Sequence, residues 1–223
     1  MANRGNSNQI IIGAAQLFVS KNGPLQWSGS AHNFSGSGSV SSIPTFASNG
    51  DSYADAVEAD STNWRNVGYT MNGLEVQFQP DFGEVQVDQL LDVAKLYKQG
   101  MQVNMVTAFA EATLENLVVA VATKSDNLTG TASAALTLEL TAGDLGEVPV
   151  ERAIIAVGPG SGDPLKVDED KVERVYVGHR VLSIENVTVS AKRNEPSMYE
   201  VNFRLLPTSD GKYGKIVDRV VGA

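Results

Sequence analysis

From Leu74 onward the chain alternates apolar and polar side chains with a period of two: Leu74, Val76 and Phe78 fall on one side, Glu75, Gln77 and Gln79 on the other. This is the pattern of a half-buried β-strand. Pro80, Asp81 and Gly83 predict a break, after which Glu84, Gln86 and Asp88 alternate with Val85 and Val87. Two arms are therefore expected, each with an apolar face and a face built only from Glu, Gln and Asp. A solvated face ordinarily mixes both signs of charge, so one without Lys or Arg calls for a reason. After Gly100 the alternation returns, with Gln102 and Asn104 opposite Met101, Val103 and Met105.

Elsewhere the same reading yields mostly strands. Gln9–Ser20 predicts a first strand ended by Asn22, Gly23 and Pro24, behind a polar arm at residues 1–8. Residues 28–62 are rich in Ser, Gly, Asn and Ala and end in the acidic DSYADAVEAD; they predict a long loop excursion, with Phe34, Ile43, Phe46 and Tyr53 as apolar docking points. Trp64–Gly73 predicts a short strand and turn. Leu90–Gly100 fits a short helix or a loop equally well. Thr113–Ala122 predicts a helix with Thr113 as N-cap and an apolar stripe of Leu114, Leu117, Val118 and Val121 that needs a sheet to lie on. Strands are expected again over Ser133–Thr141, Arg152–Val157, Val172–Val177, Val181–Ala191 and Tyr199–Leu206, and the segment from Lys212 closes the chain. The fold class is mainly β with one flanking α-helix, in one domain over residues 1–223.

Composition narrows the function. The formal net charge of −9 opposes a protein that grips nucleic acid through clustered Lys and Arg. The chain has no cysteine, hence no disulfide or thiolate metal site, and no apolar run of membrane-spanning length. His32 and His179 lack metal-ligand spacing, and GPGSGDP (158–164) lacks the Lys-Ser/Thr ending of a phosphate loop. No catalytic residue, metal or cofactor is assigned.

GAAQLFV (13–19), WRNVGYTMNG (64–73), VDQ (87–89), FAEATLENL (109–117) and YGKIVD (213–218) occur in an order that resembles the major tail protein family of long-tailed bacteriophages, the tail tube subunits. The resemblance implies a β-sandwich or barrel with a flanking helix, assembled as hexameric rings stacked into a hollow tube, with one sheet per subunit joining an inner barrel. It implies a place in the virion tail after assembly in the host cytoplasm. Its implied partners are other copies of the chain, the tape measure, tail terminator and distal tail proteins, and double-stranded DNA in transit, with no membrane contact. On this reading Glu75, Gln77, Gln79, Glu84, Gln86, Asp88, Gln102 and Asn104 form the lumen wall. Carboxylates repel the duplex and amides keep the wall wet without attracting phosphate. Val76, Phe78, Val85 and Val87 then point into the core beneath the helix stripe, and Phe34, Ile43, Phe46 and Tyr53 contact the next ring. The long 28–62 segment departs from the shorter connection the resemblance implies.

Two other readings stand beside it. A capsid decoration or tail-tip module shares the fold and needs no one-signed face. A carbohydrate-binding or hydrolytic β domain needs aromatic platforms beside paired carboxylates, whereas Glu75, Glu84 and Asp88 lie on alternating strands with scarcely any aromatics nearby.

Overall fold

The computed structural model describes residues 13–21, 51–86, 92–131, 135–142, 149–160, 171–190, 192–194 and 196–221. Their elements are β1 (Gln16–Ser20), α1 (Tyr53–Ala59), β2 (Trp64–Asn66), β3 (Thr70–Gln86), β4 (Val93–Phe109), α2 (Leu114–Ala120), β5 (Leu128–Thr131), β6 (Ala135–Leu138), β7 (Arg152–Pro159), β8 (Lys171–Ser183), β9 (Tyr199–Leu205) and β10 (Gly214–Val221). The mainly-β class is as expected. Eight strands form one antiparallel sheet in the order β2-β1-β7-β8-β9-β4-β3 with β10 on β8, and β5 and β6 pair separately.

β8 is one strand where two were expected. Between the pairs Arg152–Val181 and Ile154–Gly178 it carries one residue more than β7. Such a bulge bends the strand. β10 then pairs along residues 171–178 and β9 along 181–183, so β8 joins two wings of the sheet. Gly178 sits at the bend because a Cβ there would approach Ile154 and Val181 to 2.9 Å.

β1 and β7 are buried on both faces, as central strands with near-continuous apolar sequence should be. On one face, Phe18, Ile155, Val175, Val177 and Trp64 pack with Tyr53, Ala54 and Val57 of α1. On the other, Leu17, Val19, Ile154 and Ala156 pack with Val103, Met105, Phe109, Val201, Phe203 and residues of α2 in the larger core.

Helix α1 was not anticipated, and it revises the reading of residues 28–62. Ser52 caps it by accepting from the Ala54 N–H, and Tyr53 is 1% exposed inside the chain's own core. Tyr53 is therefore not a docking point for another ring. Its amide donates to Glu173 Oε2 (2.9 Å), and Arg219 both contacts Glu173 and lies over its ring. Phe34, Ile43 and Phe46 lie outside the described residues.

Helix α2 forms where expected and Thr113 is its N-cap, its hydroxyl accepting from the Asn116 N–H. The buried face is rotated from the expected stripe. Val118 is buried, Leu117 packs half-buried against the core and Leu114 is half-buried, but Val121 is 48% exposed because the helix ends at Ala120. Asn116, Val119 and Ala120 take the inner positions instead. Asn116 is buried with every polar atom used: Nδ2 donates to the Val67 and Glu111 carbonyls, and Oδ1 accepts from Arg65 (2.7 Å). Thr113→Ala is expected to cost about 1 kcal/mol by loss of the cap. Chemical denaturation measures this, and an unchanged midpoint would show that Asn116 alone holds the helix start.

Candidate functional site

The polar face begins where β3 meets β4. Glu75 lies opposite Val106, Gln77 opposite Asn104 and Gln79 opposite Gln102, and directly opposed residues share a face. Gln77 Nε2 donates to Glu75 Oε1 (2.9 Å) and Gln102 Nε2 to Asn104 Oδ1 (3.3 Å), so the amides form two ladders along the strands. Glu75 and Gln79 are exposed, Gln77 and Gln102 half-buried, and Asn104 buried. The structure thus brings these five expected wall residues together.

It does not bring Glu84 to them. The expected break at Pro80–Gly83 is absent, and β3 runs from Thr70 to Gln86. Among the described residues its only strand partner is β4, so it is an edge strand, where a proline is tolerated. The irregularity falls on β4: Asp81 pairs with Gly100 and Phe82 with Lys98, leaving Gln99 as the extra residue. Alternation in β3 is therefore unbroken, and Glu84 falls on the side of Leu74, Val76 and Phe78. Gln86 ends the strand opposite Val93, and Asp88 lies outside the described residues.

Nor is the face one-signed. β9 extends it, with Arg204 opposite Asn104, Asn202 opposite Val106 and Glu200 opposite Ala108. Asn202 also donates to Glu185 (2.7 Å). Beyond the bulge, Lys95 and Tyr97 lie on this side, opposite Val85 and Gly83. The clean alternation of Tyr199–Leu205 carried the signal for Glu200, Asn202 and Arg204, but only the strand order shows that β9 adjoins β4.

Residues 93–100, read as helix or loop, are strand. β9 pairs with β4 only over Val103–Phe109, so outward of Phe78 and Val103 the two strands continue as a ribbon with no further sheet neighbour among the described residues. Val76 packs against the core, but Phe78 is 53% exposed, Phe82 55%, Leu96 60% and Tyr97 46%. Phe78 and Val85, expected under the helix, are thus exposed on the ribbon instead, and Val87 lies outside the described residues. Apolar side chains stand on both sides: Phe78, Phe82 and Leu96 on the core side, Val85 and Tyr97 on the polar side.

Among the described residues no three His, Asp or Glu side chains are grouped to hold a metal ion. The chain matches no protein-family model and no curated protein.

Proposed function

We propose that this chain is a structural subunit that assembles with copies of itself into the tail tube of a long-tailed bacteriophage, as stacked hexameric rings whose lumen conducts double-stranded DNA. The observation that carries the self-assembly is the ribbon. A lone two-stranded ribbon is marginally stable in water, and one with Phe78, Phe82, Leu96 and Tyr97 exposed calls for a partner to cover it. The sequence resemblance supplies the kind of assembly. Glu75, Gln77, Gln79 and Gln102 supply a wet, weakly acidic surface over which a duplex can slide. The tape measure, terminator and distal tail proteins complete the set of partners on this reading.

The test is negative-stain microscopy with sedimentation of the concentrated protein. Rings or tubes with an open channel are expected, and a monomer at high concentration would overturn the reading. A map of such a tube is expected to show Glu75 and Gln77 on the inner wall; finding them on the outer surface would remove the conduit. Arg204 and Lys95 favour a second reading, a decoration or tail-tip module, because a phosphate-facing cation adds attraction. Closed particles without a channel would support it.

A further inference from the structure

The strand order leaves three long edges and one short one unpaired among the described residues. β7 fills one edge of β8, while β10 and β9 share the other, since Val175 pairs with both Val157 and Val217 and Val181 with both Arg152 and Leu205. β9 is closed by β4, and β4 by β3. What remains is the outer edge of β3, the edge of β10 over Gly214–Val221, the inner edge of β4 along the ribbon, and the three-residue β2. By register the ribbon runs past β10 in the same sense, and Tyr213 Oη donates to the Met101 carbonyl (2.6 Å) at the fork, but the two do not pair.

We propose that the outer edge of β3 in one copy pairs with the free edge of β10 in the next, head to tail, joining their sheets. This rests on the self-assembly reading and names the surfaces that carry it. Unpaired edges are hydrogen-bonding templates, and a heterologous contact that closes into a ring pairs both of these in every copy.

Charge selects this pair of edges. Thr70–Gln86 carries Glu75, Asp81 and Glu84 and no Lys or Arg. β10 carries Lys215, while its Arg219 is paired with Glu173 and its one carboxylate, Asp218, is held by two nitrogens of Arg174 at 2.6 Å. The inner edge of β4 carries Lys95 and Lys98 instead, which disfavours β10.

The faces agree as well. Ile216 lies opposite Tyr176, which packs against the larger core, so Ile216 and Val220 stand on the core side of β10 and are 51% and 38% exposed. On the core side of β3 stand Phe78 and Phe82. With the faces matched, Phe78 and Phe82 lie on the same side as Ile216 and Val220, and Glu75 and Asp81 on the same side as Lys215. The bulge at Asn72–Gly73 and the missing N–H of Pro80 confine the regular run to Leu74–Gln79.

The chain has no cysteine, so thiol crosslinking is clean. Gln77→Cys and Val217→Cys are made singly and together, and the assembled protein is treated with a short bifunctional thiol reagent. The double variant is expected to give a ladder of linked subunits, and an equal mixture of the single variants linked dimers, with neither single variant linking alone. Dimers from Gln77→Cys alone would mean that β3 meets β3, and an assembled particle with no link would mean that these edges do not meet; either overturns the proposal. A chain that stays monomeric overturns the self-assembly reading itself, which separates the two failures. If a cysteine variant folds poorly, Asp81→Lys serves: it is expected to raise the concentration needed for assembly at least tenfold, and adding Lys215→Glu to restore it. Assembly unaffected by both would overturn the pairing.

Discussion

Replacing Phe82 and Leu96 together by aspartate is expected to leave a folded subunit that no longer assembles. The two residues stand diagonally on the core side of the ribbon, Phe82 opposite Lys98 and Leu96 opposite Glu84, and both are more than half exposed in the single chain. Because they contribute little to the subunit's own core, its unfolding midpoint should move by no more than about 0.5 kcal/mol equivalent. At an interface each would bury a large apolar side chain worth about 1.5–3 kcal/mol. Losing both, and adding two carboxylates to a surface that must be dehydrated, raises the assembly concentration by a hundredfold or more. Sedimentation across a concentration series measures this, with circular dichroism to confirm the fold. Assembly at the wild-type concentration would show that the ribbon is not part of the contact and would remove the observation on which self-assembly rests.

That ribbon also shows how far the sequence could be read. Alternation identified Leu74–Gln79 and Met101–Phe109 as strands because one side of each lies on the core, so burial had written a period of two into the sequence. Over Ala94–Gln99 both faces of the strand are exposed. Lys95, Leu96, Tyr97 and Lys98 then show no period, and the segment was open to helix or loop.

Pro80–Gly83 misled for a related reason. Proline and glycine signal a turn in a strand with neighbours on both sides, but an edge strand loses nothing at the side facing away from the sheet. Treating the segment as a turn let Glu84 be grouped with Glu75, whereas unbroken parity puts it on the other face. The helix at Tyr53–Ala59 was legible in principle, since Ser52 is a capping residue and Tyr53, Ala54 and Val57 have helical spacing. Its acidic, Ser-rich surroundings hid it. Arg204 was visible as an exposed position of an alternating strand, but not as a member of the polar face, because strand order is a non-local property that periodicity does not carry.

Arg152→Ala is expected to cost about 2–4 kcal/mol through the acceptors it leaves behind. Its side chain is 5% exposed, and its nitrogens donate to the carbonyls of Ser20 (3.2 Å), Lys21 (3.4 Å) and Thr123 (3.3 Å) and to Ser125 Oγ (3.0 Å). One planar group thus ties β7 to the end of β1 and to the chain leaving α2. Burial, and next the nearby Arg65, lower its pKa to about 10, still above neutrality, so the guanidinium remains charged at pH 7 and its acceptors are strongly engaged. Truncation would leave the buried Ser20 carbonyl without this donor, a penalty of about 1–3 kcal/mol, and would strip the part-buried acceptors of Lys21, Thr123 and Ser125. The sign of the pH dependence follows. A base with a depressed folded pKa binds its proton less tightly when folded, so its charge opposes folding at neutral pH and that opposition fades as pH rises above about 10 toward the higher unfolded value. Arg152→Lys keeps the charge but supplies a single ammonium that cannot span acceptors on both sides. It is expected to recover less than half of the loss in denaturant unfolding, whereas full recovery by lysine would mean that charge, rather than the geometry of the guanidinium, holds the two segments together.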